Sequence, residues 1–167
     1  MRFHSAPVVR LADAKPVQLG HAARADGAWR IYAFADASGK LFGELAAFLA
    51  DSPKSPIRRF TPTGADIDID SVIDVRAVFQ QGHRELKVEE LPAILLPRKG
   101  CFGLIDYEKA YCSNIGGGVD IFDLRGIDRA KGAMVVVRPD QYVSNVLPLD
   151  AFDELAAFFG RFLLDRH

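Results

Sequence analysis

The segment AWRIYAFA, residues 28 to 35, constrains the fold more than any other part of this sequence. Ile31 and Ala33 alternate with Tyr32 and Phe34, so apolar side chains fall on both faces of an extended chain. A strand with two apolar faces belongs inside a sheet that is covered on both sides. The sequence therefore predicts an interior β-strand here.

An amphipathic helix and a second strand are predicted next. Ser38 offers an N-cap oxygen, and apolar residues then recur at helical spacing until Pro53 ends the pattern. These apolar residues are Leu41, Leu45, Phe48 and Leu49. Residues 71–80, SVIDVRAVFQ, have the β-branched composition of a strand. A strand–helix–strand order of this length predicts a right-handed parallel crossover.

The last third of the chain predicts a hairpin followed by a helix. Residues 133–138 are predicted to form a buried strand and residues 142–147 a returning strand, separated by a Pro-Asp-Gln turn. Asp150 is the predicted N-cap of a helix whose apolar residues recur at helical spacing. Those residues are Phe152, Leu155, Ala156, Phe159 and Leu163.

The remaining segments have weaker patterns. Residues 1–27 are predicted to be an extended lead-in, and residues 84–96 a short helix that Pro92 interrupts or restarts. The glycine-rich stretch 97–132 is predicted to be a long loop, either an insertion or a functional loop. The element order predicts that residues 28–167 form one thioredoxin-like α/β domain, a mixed sheet with helices on both faces.

Composition limits the classes of partner. The 167 residues are 49% apolar and 26% charged, as in soluble single-domain proteins. The net charge of −1, with no block of like charge, favours neither a nucleic-acid partner nor a membrane surface. No apolar run approaches the roughly 20 residues of a membrane-spanning helix. With no secretory signal and two cysteines taken as reduced thiols, the sequence predicts a cytoplasmic protein.

Thiol redox chemistry is not the favoured function. A thioredoxin-type enzyme needs two cysteines one helical turn apart at the start of the first helix. The corresponding residues 34–40 read FADASGK, without a CxxC motif, while Cys101 and Cys112 lie far downstream. A thioredoxin-fold redox enzyme that uses Cys101 or Cys112 is kept as an alternative.

Cofactor and metal sites are not predicted either. The run from Gly116 to Gly118 lacks the strand and helix context of a dinucleotide fingerprint, so we interpret it as a loop. The histidines are too widely separated to predict a metal site; they are His4, His21, His83 and His167.

The remaining charged residues are interpreted structurally. Two acidic groups are predicted to lie at solvated strand edges, Asp66, Asp68 and Asp70 in one and Asp120 and Asp123 in the other. The charges around the hairpin are predicted to form local pairs worth under about 1 kcal/mol each. They are Arg125, Asp128, Arg129, Arg138 and Asp140.

A second alternative is small-molecule binding. Trp29, Tyr107 and Tyr111 could line a pocket for a phenolic ligand. For Trp29 we favour core packing, because it opens a buried strand.

Three stretches carry a family resemblance: GIDRAKGAMVVVRPDQYVSNVLPLD at 126–150, RFHSAPVVRLADAKPVQLGH at 2–21 and RKGCFGLIDYEKAYC at 98–112. They resemble the C-terminal part of the phenol hydroxylase and 3-hydroxybenzoate 4-monooxygenase family of flavoprotein hydroxylases. The segment Arg138 to Val143 is the most specific part.

The resemblance implies a division of labour. In that family an N-terminal FAD domain and a middle substrate domain carry out NADPH-dependent hydroxylation of aromatic compounds, and the C-terminal thioredoxin-like domain makes dimer contacts. The resemblance thus implies a non-catalytic dimerisation or assembly domain, partnered by a second copy, by the FAD and substrate domains, or by both. No position here matches the family's flavin-binding or catalytic residues, so no catalytic, cofactor-binding or metal-binding residue is predicted. Met1 stands where such a domain begins, which favours a fragment or separately expressed domain over an independent gene product.

Overall fold

A computed structural model describes residues 1–64, 67–113, 116 and 118–165. Within them the strands are β1 (Pro7–Arg10), β2 (Pro16–Gln18), β3 (Trp29–Phe34), β4 (Ile73–Phe79), β5 (Arg98–Lys99), β6 (Leu104–Ile105), β7 (Ala110–Ser113), β8 (Ala133–Val137) and β9 (Val143–Leu147). The α-helices are α1 (Lys40–Asp51), α2 (Pro56–Phe60), α3 (Ile121–Arg125) and α4 (Phe152–Gly160).

Seven of these strands form one mixed sheet in the order β2-β1-β7-β4-β3-β8-β9. Strands β3, β4 and β7 are parallel, while β8 runs antiparallel to β3 and β9 antiparallel to β8. The chain crosses from β3 to β4 through α1 and α2, which confirms the predicted parallel crossover. The order β9-β8-β3-β4, with the final helix after β9, is the thioredoxin-like arrangement that the element order predicted.

Each face of the sheet packs against a separate apolar core. On one face, alternate residues of β3 and β4 such as Ile31 and Val75 pack against α1, α2 and α4. On the other face, Tyr32 and Phe34 pack against the N-terminal segment and against α3. The prediction of helices on both faces is therefore confirmed. Each fully buried large apolar side chain contributes about 1.5–3 kcal/mol of transfer free energy.

At both long helices the cap residue lies one position after the predicted one. The cap residue of α1 is Gly39, in a left-handed conformation with φ +73°, rather than Ser38, although the Ser38 hydroxyl oxygen accepts the Lys40 amide hydrogen at 3.3 Å. The buried Asp36 instead accepts the amide hydrogen of Phe42 at 2.9 Å. The cap residue of α4 is Ala151 rather than Asp150, and no side chain caps this helix.

The middle segments differ from the expectations. Residues 84–96 form no α-helix but two 3₁₀ turns, Val88–Glu90 and Ala93–Leu95, because Pro92 lies between them and cannot donate a helical hydrogen bond. Residues 97–132 contain the hairpin β5–β6, the interior strand β7 and the helix α3.

The N-terminal segment takes part in the main sheet. Within residues 1–27, β1 pairs antiparallel with both β2 and β7. Pairing with β7 places β1 two strands from β4, so this segment extends the same sheet as residues 28–167. The domain boundary at residue 28 stays a prediction.

Candidate functional site

The position of a thioredoxin active-site pair is occupied here by polar structural groups. The Ser38 hydroxyl donates to Asp36 Oδ2 at 2.5 Å, and the other oxygen of Asp36 accepts the Phe42 amide hydrogen. Burial acts to raise the pKa of Asp36, but the hydrogen bonds from Ser38, Phe42 and Leu41 together hold it below its ordinary value. Asp36 is thus an anionic cap of α1, and the loop has no nucleophilic sulfur.

The two cysteines are free thiols in different surroundings. Cys101 is exposed at the turn of the β5–β6 hairpin, whereas Cys112 is buried in β7. Burial, with a smaller contribution from the charge of Glu85, raises the pKa of Cys112 to about 11. A buried neutral thiol is a poor nucleophile at neutral pH. The structure does not bring these cysteines together as a redox pair.

The three aromatic residues weighed as a phenol pocket lie in different places. Trp29 packs against α4 and the residues after it: its ring stacks on Phe162 with 4.9 Å between centroids and meets Phe158 and Phe159 edge-on. This is the core-packing role favoured for Trp29.

Tyr111 and Tyr107 differ from Trp29 and from each other. Tyr111 is fully buried, and its hydroxyl accepts from Arg76 at 2.8 Å and donates to the carbonyl of Glu108 at 2.7 Å. Tyr107 is half-exposed on the wall of an open cavity. The arrangement does not form one aromatic pocket from these residues.

A buried network of charges lies beside that cavity. The ammonium group of Lys109 lies 2.5 Å from Asp70 and 2.5 Å from Asp74. Arg76 donates from Nε to the second oxygen of Asp74 at 2.8 Å, and Arg30 Nε lies 3.6 Å from the same oxygen. Ionised groups are costly to bury, and in this network each one lies beside a group of opposite charge that offsets this cost.

The interpretation of Asp66, Asp68 and Asp70 as a solvated strand edge is wrong for the two described members. Asp68 accepts the amide hydrogen of Gly100 at 2.8 Å, and Asp70 is largely buried between Lys99 and Lys109. Asp68 thus bonds to the β5–β6 hairpin, and Asp70 belongs to the buried network and also contacts Lys99 of the hairpin. Asp66 lies outside the described residues.

The open cavity above this network has a volume of about 880 Å³. Asp70, Asp74 and Arg76 form part of its lining, and the β5–β6 hairpin contributes Lys99 and Leu104. The buried ionic network and the exposed β5–β6 hairpin therefore line the same cavity. No sequence pattern indicated this cavity, because its lining comes from segments far apart in the chain.

The second acidic group also has a structural role, which corrects its interpretation as a strand edge. Asp120 caps α3 by accepting the amide hydrogen of Phe122 at 2.8 Å. The chain after Gly118 therefore does lead into a helix, contrary to the sequence interpretation. Gly117 lies outside the described residues.

Helix α3 is not suited to the pyrophosphate of a dinucleotide such as FAD. A phosphate binds the free amides at a helix N-terminus, but here the Phe122 amide already donates to the Asp120 carboxylate, and the acidic Asp123 lies in the first turn. The helix has five residues, and its first two are buried in the core. The residues present do not fit FAD, and no chemical step is derived through it.

The charges near the hairpin mostly form the expected local pairs. Arg138 contacts Asp140 at 2.6 Å, and Arg129 contacts Asp123 at 2.9 Å, all with exposed side chains. Arg125 is different, because its guanidinium lies 4.3 Å from the ring centroid of Phe3. Burial lowers the pKa of Arg125 from its usual range.

Two further findings concern metals and membranes. Over the described ranges, no three His, Cys, Asp or Glu side chains are grouped so as to hold a metal ion. His167 lies outside these ranges. No helix in the described part of the chain has both the length and the apolar character needed to cross a membrane.

Comparison with known proteins identifies the family. The family model "Phenol hydroxylase, C-terminal dimerisation domain" matches residues 1–167. The chain belongs to this family. The resemblance found in the sequence is thereby confirmed, and so is its extent over nearly the whole chain.

Relatives of this phenol hydroxylase dimerisation domain are longer proteins. The chain is 55% identical to a 3-hydroxybenzoate 4-monooxygenase of Comamonas testosteroni, over 98% of this chain and 26% of that protein. It is 36% identical to the FAD-dependent monooxygenase terD of Aspergillus terreus, over 98% of this chain and 27% of that protein. The chain spans about a quarter of the length of these curated relatives.

Solved structures resemble the domain only distantly. A thioredoxin lipoprotein, Etrx1 of Streptococcus pneumoniae, aligns over 92% of this chain and 98% of its own, with 12% identity and a TM-score of 0.44. The description as thioredoxin-like is based on the strand order and helix placement of this chain itself.

Proposed function

We propose that this chain is a non-catalytic dimerisation and assembly domain of a flavin-dependent aromatic monooxygenase acting on a phenol or a hydroxybenzoate. The observation that carries the proposal is the match of the dimerisation-domain family over residues 1–167. In this proposal the domain joins a second copy, the FAD and substrate domains of its parent enzyme, or both.

The chemistry of the chain supports a non-catalytic role. Asp36 and Ser38 bond to each other and to α1, and the buried charges of Asp70, Asp74 and Lys109 compensate one another. These groups are engaged in holding the fold, so they are not available as general acids, bases or nucleophiles.

The cofactors and compartment follow from the same proposal. The parent enzyme would bind FAD, as terD does by its name, and would take hydride from NADPH in its other domains. We assign the ring-hydroxylation chemistry entirely to those domains. We further propose that the protein is cytoplasmic.

Sedimentation equilibrium of the purified chain tests the dimerisation role. We expect a reversible monomer–dimer equilibrium with a mass that rises from 18.4 kDa towards twice that value as concentration increases. A strict monomer at millimolar concentration that also fails to bind the separately expressed flavoprotein domains would contradict the proposal. Flavin absorbance of the purified chain serves as the control, and we expect none.

A further inference from the structure

The β5–β6 hairpin carries an exposed apolar surface. Phe102 at its tip is 85% exposed, Leu104 is 69% exposed, and Tyr107 just beyond it is 46% exposed. Ile67 and Ile69, in the segment that bonds to the hairpin through Asp68, are also exposed. Neighbouring apolar side chains in water are characteristic of interaction sites, whereas isolated ones are ordinary.

The hairpin is fixed in one position before any partner binds. The Gly100 amide donates to Asp68 at 2.8 Å, and Lys99 donates to Asp70 at 2.9 Å. At its base the Asp106 amide donates to the carbonyl of Pro97 at 2.9 Å. A pre-organised tip loses little conformational entropy on binding, so its apolar area is available for affinity.

The cavity beside the hairpin has acidic and apolar lining residues, and these are complementary to the basic and apolar side chains of the hairpin. Acidic residues outnumber basic ones in its lining: Asp26, Asp106 and Glu108 are among six carboxylates, against Arg24, Arg76 and Lys99, while Leu104 and Tyr107 add apolar surface. The hairpin itself combines the exposed guanidinium of Arg98 with the ring of Phe102. Within the described residues, Arg98 donates only to the carbonyl of Gly103, so its charge has no carboxylate partner there.

The hairpin and the cavity also lie on the same side of the molecule. Lys99, Gly100, Leu104 and Ile105 of the hairpin form one wall of the cavity. A two-fold dimer is self-complementary: a group and its receptor must belong to one patch that faces its own copy. The β5–β6 hairpin and the cavity beside it lie in one patch, so they satisfy that condition.

We propose that two copies of this chain pair about a two-fold axis beside this hairpin, each placing Phe102 in the cavity of the other. Arg98 of each copy then faces the acidic lining of the other cavity. This inference rests on the dimerisation function proposed above and specifies the surface that performs it.

The edge strand β9 is a less suitable surface. Val146 is 58% exposed there, but its amide already donates to the side chain of Asn145 at 2.9 Å. Residues 1–3 also pair with the start of the strand, where the Val143 amide donates to the carbonyl of Met1. The free edge that a second copy would need is therefore short.

A matched pair of substitutions tests the surface in the full 167-residue chain. Phe102→Ser is expected to raise the dimer dissociation constant at least tenfold in sedimentation equilibrium, because it removes the apolar tip. Val146→Ser removes an exposed apolar side chain from the rival surface and is expected to leave the constant unchanged. Circular dichroism checks that both variants keep the fold.

The natural thiol next to the tip gives a second readout without any substitution. Cys101 is exposed in the monomer, so its alkylation rate by iodoacetamide should fall at least fivefold as concentration drives dimerisation. The buried Cys112 is the internal reference, because it should stay unmodified at every concentration.

The outcomes separate this inference from the proposed function. A dimer that Phe102→Ser does not weaken, with Cys101 equally reactive at all concentrations, overturns the hairpin surface and leaves dimerisation standing. A dimer weakened by Val146→Ser alone assigns the contact to β9 and also overturns the inference. A wild-type chain that never dimerises refutes this inference, and it refutes the proposed function as well only if the chain also fails to bind the separately expressed flavoprotein domains.

Discussion

Lys109 is a fully buried cation, and its surroundings show how much one residue can depend on its partners. Its side chain is 2% exposed, and its ammonium group touches Asp70 and Asp74. Local sequence gives no sign of this, because GLIDYEKAYC has the charge pattern of an exposed segment. The signal that could have been noticed is position: Lys109 directly precedes the short apolar strand β7.

The substitution Lys109→Met is expected to destabilise the fold by about 3–5 kcal/mol, because it leaves two buried carboxylates without their shared cation. Urea denaturation followed by the fluorescence of Trp29, the single tryptophan, measures the change. Lys87→Met is the control: its ion pair with Glu90 is fully exposed, and we expect no measurable change. Equal effects of the two substitutions would show that the buried network is not stabilised by Lys109.

At the scale of secondary-structure elements, the start of β8 depends on one glycine. Gly132 has φ +64°, and a Cβ added there would lie 2.3 Å from the carbonyl oxygen of Phe34 and 2.9 Å from the amide nitrogen of Asp36. Both contacts are with backbone, which cannot move aside without disturbing the end of β3. The approach of these two strands therefore requires glycine.

Gly132→Ala is expected to cost at least about 3 kcal/mol, the sum of left-handed strain and a backbone clash. Gly126→Ala is the matched control, because Gly126 has nearly the same φ, +61°, with open space around its Cβ position. It should cost only the strain, about 1 kcal/mol. Thermal denaturation of the two variants compares them, and equal losses would mean that strain alone acts at Gly132.

Elements were predictable from sequence where the pattern was long enough. The segments that became β3, β4, β8 and β9 are five to seven residues long and rich in β-branched or aromatic residues, and they were located to within two residues. Strand β7 has four residues, AYCS, inside a glycine-rich stretch, so no periodicity could emerge. Its strand character depends on pairing with β1 and β4, which are distant in sequence.

The caps were mispredicted for a related reason. Ser38 and Asp150 are good N-cap residues by type, but capping depends on backbone geometry as well as chemistry. At α1 the chain turns through Gly39 in a left-handed conformation, and the carboxylate of Asp36 reaches the helix from the end of β3.

At the scale of the whole molecule, the fold could be derived from the sequence and the charged cavity could not. The fold follows from alternation within single segments, which is local information. The cavity gathers Asp26, Asp70, Asp74, Arg76 and the β5–β6 hairpin, and only the register of the sheet brings them together. The opposite charges were visible in the sequence, but their pairing was not.

Because of this buried network, we expect the free energy of unfolding of the whole domain to depend on pH. Burial acts to raise the pKa of Asp70, but Lys109 and Lys99 hold it below its ordinary value of about 3.9. A carboxyl with a depressed folded-state pKa stabilises the fold above its unfolded pKa, and this contribution is lost as pH falls through the folded pKa.

We therefore expect the stability difference between wild type and Asp70→Asn to be largest near pH 7 and to shrink below about pH 4. Urea midpoints from pH 7 to pH 2.5 measure it, with Glu44→Gln, an exposed carboxyl on α1, as the control that should follow the wild-type profile. Parallel profiles for wild type and Asp70→Asn would show that the Asp70 charge does not link the fold to pH.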